Sequence, residues 1–267
     1  MQTTGHPPPL HYTLEGPEDA PVLALSNSLG TSLSMWEAQA AALRGRFRVL
    51  RYDTRGHGAS SAVAGLSKDS AFTLAQLGQD VLDLLDRLDI ERAHFCGISM
   101  GGITGLWLGV HAGHRLLSLT VANSAARIGT AEGWNMRADL VTNDGMAGVA
   151  AGAAGRWFTA GFVERSAALI NAMSGELAAS SANGYAACCR ALAAADLRDK
   201  VASIKVPTLV IAGSHDPVTT VADAQFMCRR IPGAAYAALP ASHLSNIEAP
   251  QAFTGVLAEF IDGDLQA

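Results

Sequence analysis

Short apolar runs separated by longer stretches of helical period make up the pattern of this 267-residue chain. Pro21–Ser26 and Arg48–Tyr52 read as buried strands. Leu74, Leu77, Val81, Leu84, Leu85 and Leu88 recur every three or four positions, which predicts an amphipathic helix over Leu74–Leu88, with Thr73 placed to cap it. Ala93–Cys96 is a short apolar run followed by Gly102–Leu108, a segment that can be helical. Leu117–Ala122, Thr208–Ala212 and a weaker Ala235–Leu239 complete the strands. Strands this short and apolar, alternating with helical segments, predict βαβ units and a mostly parallel sheet with helices on both faces, the α/β class.

The rhythm breaks between Ser124 and Arg198. That stretch is alanine-rich and helical in character, carries Trp134, Trp157 and Tyr185, and contains no convincing strand. The expected organisation is an α/β core formed by residues 1–123 and 199–267, with residues 124–198 inserted between two core strands as a helical cap. No internal repeat or long low-complexity tract appears.

Composition narrows the function. The chain is 49% hydrophobic, with a formal net charge of −5. An acidic balance argues against a nucleic-acid or anionic-membrane partner. Met1–Pro9 has neither a basic region nor an apolar one, so the expectation is no export and a cytoplasmic location. No apolar run approaches the roughly 18 to 20 residues of a membrane span. Cys96, Cys188, Cys189 and Cys228 form no Cys-x-x-Cys pair and read as reduced thiols. The histidines lack metal-ligand spacing, so neither a metal nor a cofactor is expected. Oligomeric state is left open.

The chemistry concentrates at Gly97-Ile98-Ser99-Met100-Gly101. Gly-x-Ser-x-Gly between a strand and a helix marks a nucleophile elbow, a sharp turn that lifts a serine hydroxyl clear of the carboxyl edge of a sheet. The pattern gains force when an acid and then a histidine follow in chain order. Asp216 follows the strand Thr208–Ala212, and His243 lies in a loop after the last strand. A serine hydroxyl needs an adjacent base at neutral pH; His243 can take and return its proton, and Asp216 can hold the useful imidazole tautomer. An oxyanion would be met by the N–H of Met100, at the start of a helix, and by that of Leu29, in the early loop Ser26–Thr31. His215, beside the acid, and His57, in a tight turn after the second strand, read as structural.

These motifs resemble those of the α/β-hydrolase superfamily across essentially the whole chain. Within it, Ala126–Arg137, Arg156-Trp157-Phe158-Thr159, Gly184–Cys188 and Asp196-Leu197-Arg198 are similar to the cap of the 3-oxoadipate enol-lactonases. The resemblance implies a small anionic lactone as substrate, hydrolysed through an acyl-enzyme without a cofactor. Its carboxylate needs a cation. Arg127, Arg137 and Arg156 are the cap candidates, because a guanidinium matches a carboxylate bidentately. Arg137 stands three residues after Trp134, so the two could share a helix face, with Trp134 as an apolar wall. Other carboxylesterases, lactonases or cofactor-free perhydrolases, and a hydrolase-fold receptor for small lactones, are the alternatives with the same motifs.

Overall fold

The computed structural model describes residues 10–62 and 65–263; the reading of Met1–Pro9 lies outside them. The first part of the chain forms β1 (Tyr12–Glu15), β2 (Val22–Ser26), α1 (Glu37–Leu43), β3 (Arg48–Tyr52), α2 (Leu74–Arg87), β4 (Ala93–Ile98), α3 (Met100–His111) and β5 (Leu116–Ala122). Helices α4 (Ala131–Asp144), α5 (Ala147–Ala151), α6 (Ala153–Trp157), α7 (Ala160–Arg165), α8 (Ala167–Ala178) and α9 (Ala182–Ala194) follow without an intervening strand. The chain closes with β6 (Thr208–Gly213), α10 (Val221–Arg230), β7 (Ala235–Leu239), α11 (Ser245–Glu248) and α12 (Pro250–Asp262).

The seven strands hydrogen-bond in the order β1-β3-β2-β4-β5-β6-β7. All neighbours are parallel except β1 and β3. Burial explains the strand sequences. Every residue of β2 and β6 is buried, so these strands show unbroken apolar runs rather than alternation. By contrast, β1 is a half-exposed edge strand, Tyr-Thr-Leu-Glu, too short and too polar to announce itself in the sequence.

Thr73 caps α2 through a full capping box with Gln76, and Leu74, Leu77, Val81, Leu84 and Leu85 are its buried face. Such a cap contributes about 1 kcal/mol. Among the described residues, no helix is long and apolar enough to cross a membrane.

The topology locates the site. β2 pairs with β3 on one side and β4 on the other, so the chain reverses its direction of travel across the sheet there. In open parallel sheets, ligands bind beyond the strand carboxyl ends at such a switch point. Ser26, the last residue of β2, pairs with Gly97 of β4. The loop after β2 and the elbow after β4 therefore emerge side by side.

Candidate active site

Ser99 follows the last residue of β4 and caps the start of α3 with φ 56° and ψ −114°. A non-glycine residue at positive φ costs on the order of 1–3 kcal/mol and persists only where its surroundings over-determine it. Here the backbone is held from both sides: Ser99 N donates to Ala122 O (3.0 Å), and Ser99 O accepts from Ser124 Oγ (2.7 Å). The flanking glycines follow from crowding. A Cβ at Gly97 would lie 2.2 Å from Gly101 O, and one at Gly101 would lie 2.3 Å from Ser26 O. Gly101 N also donates to Asn27 O (3.0 Å), joining the elbow to the loop after β2. Asn27 braces that loop through Tyr52 O and the indole of Trp36. Met100 is the first residue of α3, so its N–H has no helical acceptor.

Asp216 and His243 are drawn from the loops after β6 and β7 and meet at 2.8 Å, His243 Nδ1 to Asp216 Oδ2. Both are buried. The carboxylate also accepts from Val218 N (2.7 Å), Thr219 N (3.0 Å), Thr219 Oγ1 (2.8 Å) and Asn123 Nδ2 (3.1 Å). Burial by itself would raise the pKa of Asp216. The hydrogen bond and charge of His243, with Thr219 and Asn123, overcome it and hold the carboxyl below its ordinary value. Asn123 additionally donates to Ser242 O (3.0 Å), fixing the histidine loop against the acid. No sequence signal marks Asn123; its importance comes from its place at the end of β5.

Ser99 and His243 line one small chamber with Ser28, Leu29 and Val218 of the core and Trp134, Arg137, Arg156, Trp157, Leu177 and Tyr185 of the inserted helices. Its volume is about 30 Å³, room for one or two waters at ~15 Å³ each. Trp134, Arg137, Arg156 and Val218 also line an outer cavity of about 410 Å³, which adjoins it. The Arg137 guanidinium stacks 5.1 Å from the Trp134 ring, so the shared helix face is real. Arg156 is tied by Nη2 to Val149 O (2.6 Å), and burial, then the charge of Arg137, lowers its pKa. Among the described residues, no aspartate or glutamate lines either cavity. The two guanidiniums thus bring positive charge to the chamber with no acid there to neutralise it.

Arg127 is not brought to this chamber. It faces Asp196 at 3.8 Å, an acid that also pairs with Arg198, and it lines neither cavity. Of the three candidate arginines, Arg137 in α4 and Arg156 in α6 line the chamber, whereas Arg127, which precedes α4, does not. His215 is exposed. His57 is buried away from the chamber, against Arg55 O and the Tyr185 ring. Among the described residues, no cluster of His, Cys, Asp and Glu is arranged to hold a metal.

A strained serine at a strand–helix elbow, with a histidine–carboxylate pair on neighbouring loops of a parallel sheet, defines a class. The chain belongs to the alpha/beta hydrolase fold family, whose profile matches residues 21–250. It is 50% identical over 252 residues to 3-oxoadipate enol-lactonase 1 of Acinetobacter baylyi, spanning 94% of this chain and 92% of that one. It is 52% identical over 244 residues to 3-oxoadipate enol-lactonase 2 of the same organism, spanning 91% and 90%. The crystal structure of the enol-lactonase from Burkholderia xenovorans LB400 superposes with a TM-score of 0.90 at 45% identity, covering 95% of this chain and 96% of that one.

Proposed function

We propose that this chain is a 3-oxoadipate enol-lactonase, a carboxylic ester hydrolase of the β-ketoadipate pathway acting in the cytoplasm. Residues 124–198 serve as its cap, over a core of residues 1–123 and 199–267. One observation carries the choice of substrate: Arg137 and Arg156 share a chamber with Ser99 and no acid. An anionic acyl substrate satisfies that charge, and bidentate guanidinium geometry suits a carboxylate arm. Near full-length similarity to the named enol-lactonases supports the same reading.

Ser99 Oγ attacks the lactone carbonyl carbon as His243 Nε2 takes the hydroxyl proton. Asp216, bonded to Nδ1, holds the tautomer and stabilises the imidazolium. The N–H groups of Leu29 and Met100 receive the oxyanion, a contribution on the order of 3 kcal/mol per donor. Collapse breaks the ring C–O bond and expels an enolate, which takes the proton from His243 and becomes the ketone of 3-oxoadipate. Water, deprotonated by His243, then attacks the acyl-enzyme and releases Ser99. Apart from the substrate, all groups in this sequence belong to the chain or to water.

Steady-state hydrolysis of freshly generated enol-lactone, followed by loss of its ultraviolet absorbance, tests the proposal. Multiple turnovers are expected, with Ser99→Ala inactive yet folded. Turnover of aryl esters with none of the lactone selects a general esterase instead. A reaction stalling after one equivalent selects a receptor.

A further inference from the structure

A third cavity, of about 490 Å³, lies behind the catalytic chamber, between α8 and the loop leading to α1. Its wall is apolar, formed by Met35, Ala172, Met173 and Ile247, with Glu37 and Glu176 among its polar lining. Two features join it to the site. Gly30, which lines it, follows Leu29 of the chamber; Trp157 lines both spaces. Buried Trp157 is fastened to the histidine loop by its own carbonyl, which accepts from Leu244 N (3.0 Å). Two residues on, Thr159 N and Oγ1 donate to Glu248, whose carboxylate also accepts from Ser242 N (2.8 Å). The backbone that carries the indole is therefore tied on both sides to the loop that carries His243.

We infer that Trp157 is a specificity-determining partition, which confines the enzyme to short acyl groups by closing the chamber off from a cavity that takes a neutral alkyl chain. The inference rests on the hydrolase reading of Ser99. The chemistry of the two spaces differs in the way such a division requires. The chamber offers guanidiniums to an anion, whereas the rear cavity offers thioether and aliphatic surface and no cation, the Glu37 carboxylate there being paired with Arg51, so it suits an uncharged chain. Removing the indole joins an existing void to the nucleophile.

The test compares p-nitrophenyl acetate with p-nitrophenyl hexanoate in the full-length protein. In the parent, the acetate ester is the better substrate. Trp157→Ala raises the hexanoate-to-acetate ratio of kcat/KM by at least tenfold, the lower end of what one methylene is worth in an enzyme pocket. Adding Met173→Trp, which refills the rear cavity, abolishes the gain. Trp157→Phe moves the ratio the same way by less, and carries the test alone if the alanine variant does not fold. An unchanged ratio in a folded variant, equal loss of both esters, or a parent that already favours hexanoate overturns the partition. A parent that splits neither ester nor the enol-lactone refutes the hydrolase reading itself, a different outcome.

Discussion

The arginine pair and the buried aspartate act as single side chains, each with its own signature. If Arg137 and Arg156 hold the substrate carboxylate, changing either to Ala removes a charge-assisted hydrogen bond worth about 1.5–3 kcal/mol. That is roughly a ten- to hundredfold loss in kcat/KM for the anionic lactone, with a smaller loss for a neutral ester. Arg127→Ala, whose partner is Asp196, leaves both substrates nearly unaffected. Equal losses on charged and neutral substrates would exclude the two inner arginines as the anchor. Asp216→Asn presents His243 with the wrong hydrogen-bond partner and is expected to lower kcat by about 10⁴-fold, the scale seen when a triad acid is neutralised elsewhere. A variant within tenfold of the parent rate would remove Asp216 from the mechanism.

Elements meet at the site through a few polar ties. The junction of α6 and α7 is held to the loop before α11 by Glu248, which bonds both Thr159 N and Ser242 N. Glu248→Ala leaves those two donors without their partner and should cost about 1–3 kcal/mol, several degrees of Tm for a chain of this length. Because Ser242 precedes His243, kcat should fall as well, and Glu248→Gln, which keeps an acceptor, should recover most of it. Calorimetry with steady-state kinetics on both variants decides this; a stability loss with unchanged kcat means the tie is only structural. On the opposite flank, Arg55 Nε donates to Asp80 Oδ2 (2.7 Å), anchoring the loop after β3 to α2. Burial raises the pKa of Asp80 despite the guanidinium beside it. That carboxylate would be left buried and alone in Arg55→Ala.

The response of the whole molecule to acid sums over buried groups of opposite sign. Burial holds His57 neutral, with its pKa below the ordinary 6.5, against weaker pulls from Arg55 O and Asp53. The unfolded chain therefore binds a proton at His57 before the fold does, and stability falls as pH drops from about 6.5 toward the lower folded value. The slope from one such group reaches about 1.4 kcal/mol per pH unit. Denaturant melts between about pH 7.5 and pH 5 should show it, and His57→Gln should flatten it; an unaltered slope would assign the acid sensitivity to other groups. Asp216 acts lower. Its depressed pKa gives a contribution present above 3.8 and lost as pH falls through the folded value.

How much of this was legible in the chain follows from the range of the forces involved. β2, β4, β5 and β6 announce themselves because a strand buried on both faces is apolar through most of its length instead of alternating. The helix α2 does so because one buried face imposes a 3.6-residue period. The elbow is visible because Gly97 and Gly101 have no room for a Cβ, a local steric demand that composition must obey. The order of Ser99, Asp216 and His243 was equally readable, since each follows a strand of one sheet. Contacts whose partners lie far apart in sequence left no such mark. Edge strand β1 needs only the rim of β3; Asn123 and Glu248 matter through partners up to 122 residues away. Sequence by itself determined the fold class, the elbow and the chemistry, because sterics and solvation act on each residue where it stands. Only tertiary structure decided that Arg156 rather than Arg127 lines the chamber with the serine and that one indole borders two cavities, because those facts depend on how separately folded segments converge.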